Sequence, residues 1–296
     1  MSAAGRTAES RAARSRGGER STGPLAAVWI NGRRGTRIDW SDRGLQYGDG
    51  LFETMLVREH RVRVLEYHLD RLLAGCRVLG LPAPSRRALE REIAGIAARR
   101  RDGILKLMLT RGPGARGYRP TGAERCTRIL SLQALPPVTT DPSLPVRVRM
   151  CATQLGCNPA LAGLKTLNRL ESVLARSEWR DPLVWEGLMR DTDENLISGT
   201  MSNLFIRRGS LILTPLLDRC GVAGVMRRRI LETAADLGFE ARERRIRWAD
   251  LSKCDEAFMS NAIVGVKSVA RIERGRQRIV LRQADAAAVL RARLHV

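Results

Sequence analysis

The sequence predicts an α/β protein, with α+β character, that is built from two domains. Short apolar runs typical of strands recur between amphipathic segments with helical spacing. The 296 residues include 44% hydrophobic residues, which is enough for two cores of useful size. A Pro-rich polar stretch, PPVTTDPSLP at 136–145, separates two such sets of elements. We therefore expect a disordered basic tail at 1–25, a small N-terminal α/β domain at 26–136, a linker at 137–145 and a larger C-terminal α/β domain at 146–296.

The N-terminal half is predicted to contain five strands and two helices. LAAVWING at 25–32 is a β-branched and aromatic run closed by Asn-Gly, which is typical of a strand entering a tight turn. A helix over 65–81 is indicated by leucines at helical spacing and by a Gly and a Pro at its end. The remaining elements of this half are a second helix at 85–101 and strands at 51–58, 61–65, 103–112 and 125–135.

The C-terminal half alternates strands and helices without an internal repeat. Strands are expected at 146–152, 183–190, 203–207, 211–213 and 257–260, and helices at 167–180, 224–238 and 281–294. In the first of these helices, the spacing of Leu167, Leu170, Val173 and Leu174 predicts the face that is buried.

Composition limits the class of function. The formal charge of +21 is compatible with nucleic-acid binding, but the arginines are spread along the chain and aromatic residues are only 4%, so we do not expect dedicated nucleic-acid binding. The N-terminus lacks the apolar region of a secretory signal, and no apolar run approaches membrane-spanning length. The six cysteines form no C-x-x-C pair and no metal pattern with the three histidines. These features predict reduced thiols, a cytoplasmic protein and no metal site.

Lysine is unusually scarce, since only four of the 52 basic residues are lysine. Arginine keeps its proton in proteins, whereas a buried lysine can act as a nucleophile or a base. Lys165 is the best candidate because it ends an extended segment and precedes a helix, where a partly desolvated amine is activated for Schiff-base chemistry. By contrast, Lys106 is expected to reach the edge of its strand, Lys253 to lie in a polar turn and Lys267 to be a surface charge.

Three loops contain residues that can bind an anion. RGPGARG matches G-x-G-x-x-G but is followed by loop rather than helix, so we reject a dinucleotide site there and expect a flexible loop presenting Arg116 and Tyr118. DENLISGTMSNLF at 193–205 and GVAGVMRRR at 221–229 could each hold phosphate through backbone amides and hydroxyls. A plain turn is the alternative for both.

Six motifs, in this order and spacing, resemble the fold-type-IV pyridoxal-phosphate enzymes, and among these most closely the aminodeoxychorismate lyases. The resemblance covers about residues 27–270 and implies that the C-terminal domain at 146–296 is barrel-like and binds pyridoxal phosphate. The loop GARGY and the segment around Lys165 favour the lyases over the branched-chain and D-amino-acid aminotransferases. The motifs are SDRGLQYGDGLFETM, LEYHLDRL, TRGPGARGY, LAGLKTLNRLESVL, ISGTMSNLF and GVMRRRI.

The resemblance implies a role for each matching residue. Lys165 would bond the cofactor, pyridoxal 5'-phosphate, covalently and act as the catalytic base on 4-amino-4-deoxychorismate. Thr54 would face the cofactor, and Arg116 and Tyr118 would hold a substrate carboxylate. A homodimer is also implied, with the small domain of one subunit near the other subunit's site. The residues implied to contact the cofactor phosphate are Arg71, the amides of Val225 and Met226, and Asn261.

Ser198 departs from the family pattern. In the aminotransferases and many lyases a glutamate at this position contacts the pyridine nitrogen. A serine hydroxyl can only hydrogen-bond it, which weakens the electron sink that transamination needs. Elimination is less affected because an adjacent leaving group relieves the carbanion. We therefore expect a lyase, with an aminotransferase on the same fold as the alternative; Glu194 or another acid could also fill the role. A relative without catalysis is disfavoured by the intact Lys165 segment.

Overall fold

The computed structural model describes residues 27–136, 143–281 and 285–294. Its helices are α1 (Arg43–Tyr47), α2 (Leu65–Leu79), α3 (Arg86–Ala97), α4 (Leu170–Arg176), α5 (Val225–Thr233), α6 (Trp248–Leu251) and α7 (Asp285–Leu294). Its strands are β1 (Ala27–Ile30), β2 (Arg33–Arg34), β3 (Gly50–Arg58), β4 (Arg61–Val62), β5 (Gly103–Thr110), β6 (Thr127–Gln133), β7 (Val146–Met150), β8 (Val184–Arg190), β9 (Leu196–Gly199), β10 (Asn203–Arg208), β11 (Leu211–Pro215), β12 (Glu240–Arg244), β13 (Glu256–Asn261), β14 (Gly265–Arg274) and β15 (Gln277–Val280).

The first sheet has six strands in the order β2-β1-β6-β5-β3-β4. Helices α2 and α3 cover one face, where their leucines and isoleucines meet inward residues of β3, β5 and β6 in one apolar core. The Asn-Gly turn expected after β1 is present, with positive φ at both Asn31 and Gly32. This arrangement leaves the opposite face of β3, which carries Phe52 and Thr54, available to a cavity.

The second sheet closes on itself. Its strands run β12-β11-β10-β13-β14-β7-β8-β9, and β9 also pairs with β10. This extra pairing closes a barrel of six strands, which are β7, β8, β9, β10, β13 and β14. Apolar residues from these strands fill a core that continues to α6. A further core under α5 and α7 contains the stacked rings of Phe205 and Phe258, whose centroids lie 5.0 Å apart.

The expected elements correspond to the observed ones in order and type. The tail at 1–25 and positions 137–142 of the linker lie outside the described residues. Five strands were not predicted, namely β2, β9, β12, β14 and β15, and neither were the short helices α1 and α6. β12 carries the sequence EARER, whose charged residues show no apolar alternation because this strand lies at the sheet edge.

Three expectations from the sequence are wrong. Leu170, Val173 and Leu174 are 77%, 57% and 61% exposed, because α4 packs through Ala175 and turns its leucine and valine stripe outward. Lys267 is buried rather than on the surface. Lys106 does not reach a sheet edge, because β5 lies between β6 and β3, and its amine lies 5.2 Å from the centroid of the Phe52 ring.

Candidate active site

A cavity of about 890 Å³ lies between the two sheets. Its walls come from the exposed face of β3, from the segment that carries Lys165, from the loop between β9 and β10, and from the loop that leads into α5. The volume is in the range of sites that bury small molecules and cofactors. The predicted residues that line it are Lys165, Thr54, Arg71, Ser198, Val225 and Asn261.

Backbone bonds on two sides hold the segment that carries Lys165. The carbonyl of Lys165 accepts from the amide of Phe52 at 3.0 Å, and Leu167 donates to Gly50 at 3.0 Å, which ties the segment to the start of β3. On the other side, Gly163 donates to Gly221, and Ala223 donates to Gly163, each at 3.0 Å. The segment therefore bridges both sheets, and the Lys165 side chain enters the cavity from this bridge.

The environment of Lys165 favours its neutral amine. Burial lowers the pKa of this amine to about 7, and the nearby guanidiniums of Arg71 and Arg169 act in the same direction. The Glu53 carboxylate opposes the shift. The Nζ atom lies 4.2 Å from the centroid of the Phe52 ring. A lysine with a pKa this low is reactive at neutral pH, as covalent and acid-base chemistry require.

Arg71 is held by a buried carboxylate. Its Nε donates to Glu53 Oε1 at 2.8 Å, and the other oxygen of Glu53 lies 2.6 Å from His68 Nδ1. Burial by itself would raise the pKa of Glu53, but the charge of Arg71 and hydrogen bonds from His68 and Arg71 lower it to about 2. Arg71 also donates to the carbonyl of Ala223 at 3.0 Å, so its guanidinium lies beside the loop that enters α5.

The start of α5 presents free amides to the cavity. Gly224 is the N-cap and offers no side chain, so the first-turn amides, including those of Val225 and Met226, have no partner within the helix. A Cβ atom on Gly224 would lie 2.0 Å from Asn203 Oδ1, so only glycine fits here. These amides, the positive end of the helix dipole and Arg71 form a cradle for a phosphate group.

The loop after β9 is organised around Glu186, a fully buried residue of β8. Its carboxylate accepts from the hydroxyls of Thr200 at 2.6 Å and Ser202 at 2.7 Å, and from three backbone amides. Ser198 lies near the end of β9, just before this loop, and its hydroxyl donates to the Gly199 carbonyl at 2.9 Å. Glu194 does not line the cavity, because it pairs with Arg190 and Arg274 on the surface.

Asn261 and Thr54 lie at opposite walls of the cavity. The Asn261 side-chain oxygen accepts from the amides of Ile263 at 2.9 Å and Val264 at 3.0 Å, so this residue shapes the turn between β13 and β14. Thr54 lies on β3, opposite Lys106 of β5. Among the residues assigned to the cofactor from the sequence, only Met226 is not itself a lining residue, although its amide lies in the first turn of α5.

Arg116 and Tyr118 lie outside the cavity of their own chain. Both are exposed, on the loop that follows β5. The loop is anchored by Arg43 of α1, which donates to the carbonyls of Gly117 at 2.8 Å and Tyr118 at 2.7 Å. Asp49 accepts from Arg43 Nε at 2.9 Å and keeps this buried guanidinium in place.

Four residues that organise the site were not singled out from the sequence. The charged group is buried in three of them and partly buried in Arg169, which is uncommon without a partner or a ligand. Each lies next to a predicted element or in a motif quoted above. The two glutamates could have been found from the sequence, because each is an acidic residue within an otherwise apolar strand. The four are Arg43, Glu53, Arg169 and Glu186.

The chain matches the sequence family described as amino-transferase class IV over residues 50–272. It is 32% identical to the aminodeoxychorismate lyase of Vibrio harveyi over 245 residues, which cover 82% of this chain and 90% of that protein. It is also 27% identical to a putative branched-chain-amino-acid aminotransferase of Methanocaldococcus jannaschii over 256 residues, 83% of this chain and 88% of that protein.

Two solved structures define the fold further. The crystal structure of 4-amino-4-deoxychorismate lyase from Pseudomonas aeruginosa superposes with a TM-score of 0.85 at 41% identity, covering 90% of this chain and 97% of that one. The branched-chain aminotransferase of Escherichia coli superposes with a TM-score of 0.79 at 20% identity, covering 91% and 94%. The second likeness concerns the fold, which is the two-domain fold expected from the sequence.

Proposed function

The chain belongs to the amino-transferase class IV family, and on this premise we propose that it is an aminodeoxychorismate lyase. It would convert 4-amino-4-deoxychorismate to 4-aminobenzoate and pyruvate, using pyridoxal 5'-phosphate. The observation that carries the proposal is Lys165, whose amine has a pKa of about 7 and enters a cavity that ends at the start of α5. An aminotransferase on the same fold is the alternative.

The residues present fit pyridoxal phosphate. The free amides of Val225 and Met226, with Arg71 beside them, suit the phosphate. Lys165 supplies the neutral amine that bonds the aldehyde. Asn261 and Thr54 shape the walls between which the ring would lie. When bound, the cofactor would supply the electron sink for charge that develops on the substrate carbon next to the amine.

Lys165 would then act as the base. Its Nζ would accept the proton from the amine-bearing ring carbon, which the low pKa makes possible near neutral pH. The carbon–oxygen bond to the enolpyruvyl group breaks next, and the group leaves as enolpyruvate, which takes up a proton and becomes pyruvate. Loss of the ring proton and of this group makes the ring aromatic. Substrate and products balance without a further reactant. Exclusion of water by Phe52 and the surrounding apolar wall would keep the amine neutral for this step.

Ser198 favours elimination over transamination. The hydroxyl of Ser198 would bring no negative charge to the cofactor nitrogen, and the buried carboxylate of Glu186 on β8 is occupied by hydroxyls and amides. Within the part of the chain that the structure describes, the cavity wall contains one carboxylate, that of Glu171, which accepts from the amide of Gly156. A weaker electron sink suits a reaction in which the leaving group relieves the developing charge.

The test follows 4-aminobenzoate and pyruvate together from aminodeoxychorismate and the cofactor-loaded protein. We expect equal release of both, loss of both in Lys165→Ala, and normal release in Lys253→Ala, whose lysine lies in an exposed turn. Transamination of an amino acid without either product would refute the lyase and keep the fold. Full activity of Lys165→Ala would refute the role of the lysine.

We also propose a homodimer acting in the cytoplasm. The outward stripe of Leu170, Val173 and Leu174 at the cavity mouth is an apolar surface that a second copy would cover. In such a dimer, Arg116 and Tyr118 would reach the partner's cavity and hold a substrate carboxylate. The six free cysteines suit a reducing compartment. None of the helices within the described ranges has the length and hydropathy of a membrane span.

Sedimentation should give a dimer that Val173→Glu weakens, and a wild-type monomer would refute the assembly.

A further inference from the structure

Arg169 carries a positive charge and forms no ion pair with a carboxylate among the described residues. It is the N-cap of α4, four residues after Lys165, and it lines the same cavity. Its one side-chain hydrogen bond goes from a terminal nitrogen to the neutral hydroxyl of Thr166 at 2.9 Å. Its Nε is buried and has no partner among the described residues. Burial lowers the pKa of this guanidinium, although it stays charged at neutral pH.

Other buried arginines of this chain are paired differently. Arg43 and Arg111 share Asp49, Arg71 is bound by Glu53, and Arg207 is bound by Glu256. A buried guanidinium without such a partner is costly, because its donors lose water and gain nothing in return. A ligand that contains an oxyanion would offset this cost, because the planar guanidinium of arginine binds an oxyanion with two parallel hydrogen bonds.

Two other basic side chains of the cavity wall already have a partner or a role. Arg71 is neutralised by Glu53, and Lys165, whose pKa is about 7, is neutral in about half of the molecules at pH 7. Glu171 raises the pKa of Arg169 from a distance, but its own oxygen accepts from the amide of Gly156. Arg169 is therefore the cation of this wall whose charge remains available, next to the amine that performs the chemistry.

We propose that Arg169 is the substrate-specificity residue of this cavity and that it binds the carboxylate on the substrate ring. The inference rests on the proposed lyase function and deepens it, because it assigns recognition of the ring carboxylate to a residue of the same chain as Lys165. That carboxylate is retained in 4-aminobenzoate. A substrate whose ring lacks it would leave the guanidinium buried and unpaired, and so would be rejected.

The experiment compares two ligands that differ in this group. Binding of 4-aminobenzoate and of aniline to the cofactor-loaded protein is measured by calorimetry for the wild type, Arg169→Gln and Arg169→Lys. We expect Arg169→Gln to weaken 4-aminobenzoate roughly 10- to 100-fold and to leave aniline unchanged, since a charged hydrogen-bond pair is lost. Arg169→Lys keeps the charge but loses the planar fork of the guanidinium. Its affinity for 4-aminobenzoate should therefore lie between those of the wild type and Arg169→Gln.

Arg176→Gln is the matched control. Arg176 lies on the same helix, but its guanidinium stacks 4.4 Å above the Trp179 ring and donates to the Trp179 carbonyl, away from the cavity. This variant should bind both ligands as the wild type does. If Arg169→Gln weakens both ligands equally, the residue is structural and the inference fails.

Two further outcomes separate the possible errors. If Arg169→Gln changes the affinity for pyridoxal phosphate while the ratio of 4-aminobenzoate to aniline binding stays constant, the oxyanion belongs to the cofactor and the inference is overturned. If the wild type releases no 4-aminobenzoate from aminodeoxychorismate, the proposed function itself fails. An active wild type with an unchanged ratio in Arg169→Gln refutes only the role of Arg169.

Discussion

The Lys165 amine should lose its proton near pH 7 in the cofactor-free protein. Its pKa is lowered from 10.5 to about 7, chiefly by burial. An amine with the ordinary value is neutral in about 0.03% of molecules at pH 7, whereas one with a pKa near 7 is neutral in about half, a difference of roughly 1,500-fold in the reactive form. Reaction with an aldehyde at neutral pH should therefore be faster than at an exposed lysine, although by less than this factor because an amine with a lower pKa is also a weaker nucleophile.

The assay follows the absorbance change when the cofactor-free protein condenses with pyridoxal, between pH 5.5 and 9.5. Pyridoxal lacks the phosphate, so the cradle at the start of α5 does not contribute to the rate. The rate should rise with pH and level off above a midpoint near 7, because only the neutral amine attacks. Lys165→Ala should remove this component, and Lys253→Ala should retain it. A midpoint above pH 9 for the component that depends on Lys165 would refute the reasoning, since burial would then not control this amine.

Three further outcomes follow from the contacts around the site. Glu53→Gln leaves Arg71 without its buried counter-charge, and should lower the free energy of unfolding in urea by about 3–5 kcal/mol; an unchanged midpoint would contradict this. Gly199→Ala places a Cβ 2.4 Å from a serine hydroxyl and should cost about 1–3 kcal/mol, while Gly95→Ala, with open space in helix α3, should be neutral or stabilising by about 0.5–1 kcal/mol. Arg43→Ala should speed tryptic cleavage in the loop after β5 without changing the Lys165 titration, and equal cleavage rates would show that Arg43 does not anchor the loop.

Local pattern was enough to predict the strands whose faces differ in polarity. β3, β5 and β6 alternate or run apolar because one face packs on α2 and α3, and their limits lie within a few residues of the predicted ones. The Asn-Gly turn after β1 was equally readable, since both residues tolerate positive φ. β12 was missed because a charged edge strand carries no such alternation, and β15 because it is an edge strand of only four residues.

Periodicity shows which residues share a face of a helix and does not show what covers that face. Leu170, Val173 and Leu174 share a face of α4, as the spacing indicated, but Ala175 on another face makes the contact with the barrel. Packing between elements that are far apart in the chain decided which face of α4 is buried. The same limit applies to Lys267, which is buried although nothing in its neighbourhood of the sequence indicates it.

The sequence by itself determined the fold class, the family and the choice of Lys165, because these depend on residue types at fixed spacing. Only the tertiary structure decided which charges are balanced. Glu53 reaches Arg71 from another element and neutralises it, whereas Arg169 forms no ion pair with a carboxylate in the described part of the chain, although both arginines line one cavity. Coulomb interactions depend on distance in space, and burial removes the water that would screen them. The pKa of Lys165 is therefore a property of the folded chain and could not be derived from its neighbours in sequence.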